Sequence, residues 1–537
     1  MTIKRILCGA AGVAAVLLPA APALAGTVAP ALAGTVGGTV AGAGGSIVRT
    51  DAGLVRGTVQ KERRVFRGIP YAAPPVGQLR WRSPKPPATW KGVRAATRPG
   101  PACAQAPNPL AGLPGSEAED CLFLDVTTPR ERGRPRPVMV YLHGGGFVSG
   151  AGHDYDASRL VAGGDVVVVT VGYRLGVFGF LAHPGEPGAG AFGLEDQQAA
   201  LKWVRRNASA FGGDPRNVTL FGESAGALST CAHLTSPGAA GLFHRAIMQS
   251  GTCGARWPKN SLGPGSPALD LWAPPEEAAQ LASAYAAQLG CDSLACLRGL
   301  PTGRLLGGQL APLVSRPTYG NPVLPAHPAT ALTKGRFHRV PVMNGHTRDE
   351  HRLLTSWGYT PPITADRYRE LVADTFAAYA PRVAARYPLG EHASPSEAWS
   401  AIMTDVSWAC PAQADNRLLS ARTRVYTFDF ADRTAPWTGA KPPFPLGAYH
   451  GSELPYLFPD PAARLTPAQE RLAAAMIGYW TRFARTGSPD GGGLPRWAPH
   501  PAGQSLDADG PRPADLAARH SCDLFPGGYS ASARPDR

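Results

Sequence analysis

The sequence predicts an α/β fold with a large, mostly parallel sheet covered by helices on both faces. Three observations lead there. Short apolar, β-branched runs alternate along the chain with stretches of helical pattern, the arrangement that makes parallel strands joined by crossover helices. Residues 217–221, Asn-Val-Thr-Leu-Phe, read as a buried strand, and residues 227–234 read as a helix. Between them stands Gly222-Glu223-Ser224-Ala225-Gly226. A serine flanked in this way sits on a tight strand-to-helix turn that glycines make accessible, with its hydroxyl held out above the sheet edge.

The chain has 537 residues, enough for one large α/β domain with insertions. The 64 glycines and 55 prolines imply many loops. The formal charge of +14 comes from scattered residues, with no Lys/Arg tract and no nucleic-acid motif. It reads as solubility rather than nucleic-acid binding. At the N-terminus, Lys4 and Arg5 precede an apolar run over 6–19, and Ala23-Leu24-Ala25 offers a small-x-small cleavage site. Residues 1–25 are therefore expected to be a secretory signal peptide, since the run is shorter than the roughly 20 residues a membrane span needs. Residues 26–45 read as a flexible Gly/Ala-rich leader, 46–524 as a single domain and 525–537 as a disordered tail. Of nine cysteines, Cys8 leaves with the signal. The remaining eight, an even number in an exported chain, point to disulfides. Cys291 and Cys296 are close enough to bridge a short loop.

Residues 46–59 look like short strands. Residues 66–77, rich in Pro and Gly, are expected to form an ordered surface loop. Strands are expected at 138–143, 166–171, 218–221, 245–249, 340–344 and 425–430. Helices are expected at 197–206, at 275–289 with Pro275-Glu276-Glu277 in its first turn and Gly290 as its stop, and from a capping box at Thr466 and Gln469 to Phe483. The 138–143 strand runs straight into Gly144-Gly145-Gly146-Phe147.

Acyl transfer by serine requires a nucleophile, a base, an acid that orients the base, and donors for the oxyanion. Ser224 is the candidate nucleophile. The amide of Ala225, at a helix N-terminus, points where an oxyanion would form, and bare amides of the Gly144–Gly146 triplet are suited to the other half of the hole. Serine, acid and histidine follow one another along this type of chain, but order alone does not select one histidine. His450 stands out because Gly447-Ala448-Tyr449-His450-Gly451 is a loop following a strand. Asp349 and Glu350, after the 340–344 strand, are the candidate acids.

The chain resembles the type-B carboxylesterases, an α/β-hydrolase family that includes cholinesterases, bile-salt-activated lipase and bacterial para-nitrobenzyl esterases. The match runs from about residue 46 to 522. It rests on residues 66–77, Glu119-Asp120-Cys121-Leu122, His143 to Phe147, Gly172-Tyr173-Arg174-Leu175-Gly176, Phe211-Gly212-Gly213-Asp214-Pro215, the Ser224 turn, and His450-Gly451-Ser452-Glu453. The resemblance implies Ser224 as nucleophile, Glu350 as acid and His450 as base, with Gly145, Gly146 and Ala225 supplying the oxyanion amides. It implies no metal and no cofactor. Where the family usually has glycine after the acid, this chain has His351, which leaves Asp349 as an alternative acid. The resemblance also implies disulfides Cys103–Cys121, Cys291–Cys296 and Cys410–Cys522, leaves Cys231 to pair with Cys253, and implies structural ion pairs Arg80–Glu119 and Arg174–Asp196.

The expected function is a secreted hydrolase of carboxylic esters with a small-molecule ester as substrate and no stable membrane anchor. A cholinesterase would carry an aromatic residue for the quaternary ammonium in the loop between its first two cysteines, and residues 104–120 contain none. A lipase, with that loop as a lid, is the alternative enzyme. A non-catalytic adhesion module of the same fold is disfavoured by the presence of Ser224, Glu350 and His450.

Overall fold

The computed structural model describes residues 46–526 apart from 109–111, 113, 132 and 185–187. The signal peptide and leader expected over 1–45, and the tail beyond 526, lie outside the described residues. The central sheet has eleven strands. In chain order they are β1 (Thr58–Val59), β2 (Arg63–Pro70), β3 (Phe123–Pro129), β4 (Arg136–Leu142), β5 (Val167–Val171), β6 (Gly213–Glu223), β7 (Arg245–Gln249), β8 (Val342–Thr347), β9 (Val425–Phe430), β10 (Gly503–Leu506) and β11 (Arg512–Ala514). Across the sheet they lie in the order β11-β10-β9-β8-β7-β6-β4-β5-β3-β2-β1. From β5 through β4, β6, β7, β8 and β9 to β10 every pairing is parallel. The strands at both margins pair antiparallel.

Central strands β4, Arg-Pro-Val-Met-Val-Tyr-Leu, and β5, Val-Val-Val-Thr-Val, are buried along their whole length. Continuous apolar runs of this kind are stable only where both faces of a sheet are covered. The helices that cover the sheet or border the site include α1 (Phe192–Asn207), α2 (Ala225–Thr235), α3 (Pro275–Gln288), α4 (His351–Gly358), α5 (Pro395–Thr404), α6 (Cys410–Ser420) and α7 (Pro467–Thr486). The pleat of β4 sends alternate side chains to opposite faces. Val138, Val140 and Leu142 pack with Leu201 and Val204 of α1, while Met139 and Tyr141 pack with Met476 and Trp480 of α7. Helix α7 starts with the expected capping box between Thr466 and Gln469 and stops at Gly487, which takes φ +77°.

Residues 66–77 are not a surface loop throughout. Phe66 to Pro70 continue β2, and Phe66 and Ile69 are fully buried. A bulge between Phe66 and Ile69, with Gly68 at φ +69°, absorbs the glycine and lets β2 keep pairing with β3. Only the stretch after Tyr71 leaves the sheet. The other differences are shifts of boundary. Helix α1 begins five residues before 197, β6 runs past 218–221 in both directions, and β8 is displaced toward its C-terminus relative to 340–344.

Disulfides join Cys103–Cys121, Cys231–Cys253, Cys291–Cys296 and Cys410–Cys522. Arg174 and Asp196 form a buried pair at 2.7 Å, with side chains 3% and 0% exposed. Removing one partner of such a pair strands a charge in the interior, at about 3–5 kcal/mol. Arg80 pairs with Glu119 and also donates to the carbonyl of Leu300.

Sheet and covering helix meet tightly at Gly226. A Cβ there would lie 1.9 Å from the Leu142 carbonyl oxygen. Alanine is the better helix former by about 1 kcal/mol, yet here it would force β4 and α2 apart. Gly226→Ala is therefore expected to lower the urea-unfolding midpoint clearly or to abolish soluble protein. Gly299→Ala, in the helix Leu294–Gly299 where a Cβ meets nothing within 4 Å, should keep or slightly raise the midpoint. A Gly226→Ala protein as stable as the parent would contradict this account of the packing.

Candidate active site

β6 ends at Glu223 and α2 begins at Ala225, so Ser224 alone makes the turn. Its φ and ψ are +56° and −121°, a conformation that costs a non-glycine residue on the order of 1–3 kcal/mol and persists only where the surroundings impose it. They do so here from two sides. The Ser224 N–H donates to the carbonyl of Gln249 at the end of β7, at 2.8 Å. The flanking glycines let strand and helix close tightly, since a Cβ on Gly222 would sit 2.5 Å from the Gly226 backbone.

The glycine triplet follows β4 directly and lies against this turn. A Cβ on Gly144 would be 2.6 Å from Glu223 Oε2 and 3.1 Å from the Ser224 Cβ, so this glycine is required for the approach. Gly145 and Gly146 take φ +106° and +61° and are exposed. The Gly145 carbonyl accepts from the N–H groups of Val148 and Ser149, which curls the loop back on itself. Among the described residues, the N–H groups of Gly145, Gly146 and Ala225 donate to no protein group. His143 anchors the loop from below. It is buried, its Nδ1 lies 2.8 Å from the Gly144 carbonyl, and its own carbonyl accepts the Tyr173 hydroxyl.

The candidate acids part company in three dimensions. Glu350 is fully buried after β8, and its Oε2 lies 2.6 Å from His450 Nδ1. Its Oε1 accepts the Thr347 N–H. Asp349 points the other way, into a bidentate pair with Arg433 and a hydrogen bond from the Ala448 N–H. Asp349 thus pins the loop that carries His450, and Glu350 meets the imidazole.

Two further carboxyls surround that imidazole. His450 Nε2 lies 3.3 Å from Glu223 Oε1. Glu453 accepts from Gln249, whose own side-chain carbonyl oxygen accepts the Trp480 indole N–H. Burial alone would lower the imidazole, but Glu223 and Glu350 outweigh it and push His450 up to about 9. Burial pushes Glu223 up to about 8, opposed by His450 and assisted by Glu453 and Glu350. Burial likewise pushes Glu453 up to about 7. Glu350 is also desolvated, yet attraction and hydrogen bonding to His450 hold it below the usual carboxylate range. Glu350 is therefore the ionised partner of the imidazole, while Glu223 and Glu453 share protons with their surroundings near neutrality.

The described hydrogen bonds include none between the Ser224 hydroxyl and His450. In this state Nε2 faces the carboxyl of Glu223, the residue immediately before Ser224. Glu223 has no role assigned from the sequence. Its only signal is a carboxylate at the buried end of a strand, next to the serine. No group of three or more His, Cys, Asp or Glu among the described residues could hold a metal ion, and no described helix is long and apolar enough to cross a membrane.

Residues 44–508 match the carboxylesterase family. The chain is 36% identical over 476 residues to a para-nitrobenzyl esterase of Bacillus subtilis (strain 168), covering 82% of this chain and 90% of the relative. It is 33% identical over 468 residues to an acylcarnitine hydrolase of Mus musculus, covering 80% of each. It is 34% identical over 496 residues to pyrethroid hydrolase Ces2e of Rattus norvegicus, covering 84% of each. A solved structure of PNB esterase superposes with TM-score 0.73 at 33% identity, over 89% of this chain and 99% of that one. A fold of this kind, matched over most of its length, makes the chain a member of the carboxylesterase family, with the α/β-hydrolase fold and carboxylic-ester hydrolase activity.

Proposed function

We propose that the chain hydrolyses carboxylic esters through an acyl-enzyme on Ser224, with His450 as general base and Glu350 as the acid that orients it. The observation that carries this reading is the 2.6 Å contact between Glu350 and His450 Nδ1, made beside a strained serine turn and three amides without protein partners. Nδ1 carries its proton toward Glu350, which leaves Nε2 as the basic nitrogen once His450 is neutral. A small rotation from Glu223 toward Ser224 would let Nε2 take the hydroxyl proton as the oxygen attacks the ester carbonyl. The developing oxyanion would be held by the N–H groups of Gly145, Gly146 and Ala225, whose positions are set before substrate arrives. The alcohol leaves with the proton from His450, and water repeats the sequence on the acyl-enzyme. These steps need no metal or cofactor.

We further propose that the protein is exported after removal of residues 1–25. The four disulfides support this, because such bonds persist in oxidising compartments. Relatives are named as hydrolases of acylcarnitines and of pyrethroids, which supports broad specificity for this chain. N-terminal sequencing of protein recovered from culture medium should begin after residue 25. Intact protein retained in the cells would overturn the export reading.

Initial rates on para-nitrophenyl esters from acetate to palmitate should favour short chains. Ser224→Ala should lose at least about four orders of magnitude in kcat while staying folded. A rate maximum at long chains would make the enzyme a lipase, and an active Ser224→Ala protein would remove Ser224 from the mechanism.

The charges around His450 set the pH dependence. Hydrolysis needs the neutral imidazole, and the carboxyls of Glu223, Glu350 and Glu453 raise it from 6.5 to about 9. kcat/KM reports the free enzyme, so it should climb with pH along a limb centred above 6.5. Glu223→Gln removes one of the raising charges and should move that limb toward lower pH. A parent limb centred at or below 6.5, or one that Glu223→Gln does not move, would contradict this electrostatic account.

A further inference from the structure

His351 follows Glu350 directly and opens α4, yet its side chain is fully buried and uses every polar atom. Its backbone N–H donates to Thr404 Oγ1 at the end of α5, at 3.0 Å. Its Nε2 lies 2.9 Å from the Ser261 carbonyl oxygen, and its Nδ1 lies 3.1 Å from the Trp408 indole nitrogen. These partners settle its protonation. An indole N–H can only donate, so Nδ1 must present a lone pair. A carbonyl can only accept, so Nε2 must carry the hydrogen. His351 is a neutral imidazole with one tautomer imposed from both sides. Burial, which pushes it down to about 4, favours the same state.

Trp408 is where this arrangement leads. It sits in the π-helical turn Asp405–Ala409 between α5 and α6 and is 5% exposed. Its ring centroid is 4.7 Å from that of His450 at an interplanar angle of 45°, and Trp257 packs against it from elsewhere at 6.0 Å. An indole can turn about its Cα–Cβ and Cβ–Cγ bonds, and its N–H bond to His351 is the polar contact that fixes its orientation. His450 is thus held at two places by consecutive residues. Glu350 holds Nδ1 directly, and His351 holds the aromatic wall against which the imidazole lies.

We propose that His351 is a positioning residue for ester hydrolysis, acting as a hydrogen-bond acceptor that locks the Trp408 indole against the His450 ring. This rests on Ser224, His450 and Glu350 acting as nucleophile, base and acid. The imidazole must turn from Glu223 toward Ser224 and back in each half-reaction, and a fixed wall confines that motion to the plane in which Nε2 reaches the hydroxyl. An indole within about 6 Å of the ring also favours the imidazolium that forms as the proton is taken. Loss of the wall should therefore affect the chemical step rather than substrate binding.

The test is a double-mutant cycle with His351→Leu, Trp408→Phe and the double variant, beside Ser224→Ala, each checked for folding by thermal unfolding. His351→Leu removes the acceptor. Trp408→Phe keeps an aromatic ring and removes the donor. Each single variant should lower kcat on para-nitrophenyl acetate by about tenfold to a hundredfold, the range a small misplacement of a reacting group produces, with KM within about twofold. The double variant should be no worse than either single one, because both remove one shared interaction. His351→Gln, which can accept and donate from one side chain, should recover part of the rate. If His351→Leu does not fold, Trp408→Phe still decides the matter, since it leaves the buried imidazole in place. The proposal is overturned if a folded His351→Leu or Trp408→Phe protein keeps kcat within twofold of the parent, or if the two losses multiply. Activity in Ser224→Ala would instead refute the reading of the site itself, so the two failures are separable.

Discussion

The structure turns on the closeness of α2 to the ends of β4 and β6. Gly226 leaves no room for a side chain between the helix and the Leu142 carbonyl, and that proximity keeps Ser224 at φ +56°. The conformation is unfavourable locally and is held by tertiary contacts: the β7 carbonyl that accepts the Ser224 N–H, and the glycines on either side. Because β4, β6 and β7 are neighbours in a parallel sheet, their C-terminal ends open onto one edge. The Gly144–Gly146 loop, Ser224, the side chain of Gln249 and, from β8, Glu350 all emerge there. A parallel sheet therefore gathers at one margin groups that lie some two hundred residues apart in the chain.

The same margin concentrates charge in a region nearly closed to water. Three glutamates surround one histidine, and desolvation affects each differently because their partners differ. Glu350 has the Thr347 N–H and the imidazole to hold its charge. Glu223 has His450 at 3.3 Å from its Oε1, yet that buried oxygen accepts no hydrogen bond, so burial dominates and raises it. In a low-dielectric site such differences become large, and chemically identical side chains come to do different work. Histidine and carboxyls here shift one another's titration, so no one of them titrates independently.

Around this set the structure places supports that touch neither serine nor substrate. Asp349 and Arg433 hold the loop before His450 from outside. Asp405, which opens the π-helical turn, lies 2.7 Å from both His520 Nδ1 and the Tyr387 hydroxyl. The Cys410–Cys522 bond ties the same turn to the C-terminal segment. Trp408, carried by that turn, is therefore held at its backbone by the C-terminal segment and at its indole by His351. A wall for the imidazole built in this way depends on parts of the chain more than a hundred residues apart.

The sequence by itself determined the layered fold and singled out Ser224, His450, the glycine triplet and the Asp349-Glu350 pair. The reason is local: β-branched runs that can only be buried strands, a capping box at Thr466, and glycines at a strand-to-helix junction each express their structure within a few residues. The choice between Asp349 and Glu350 was not local, since adjacent carboxylates in one turn differ only in what each one faces. Neither was the course of residues 66–70, where pairing with a distant strand overrode a composition that reads as loop. Trp408 carries no signal of its own in the sequence, and Glu223, beside the serine, and His351, standing where the family usually has glycine, are visible there only as positions without a role. Their chemistry comes from the closeness of Glu223 and Trp408 to His450 and from the partners of His351 at Ser261, Thr404 and Trp408, and such distances exist only after the sheet has closed and excluded water. Propensity and pattern act over a few neighbouring residues, whereas desolvation and tautomer are set by whatever the folded chain brings within a few ångströms.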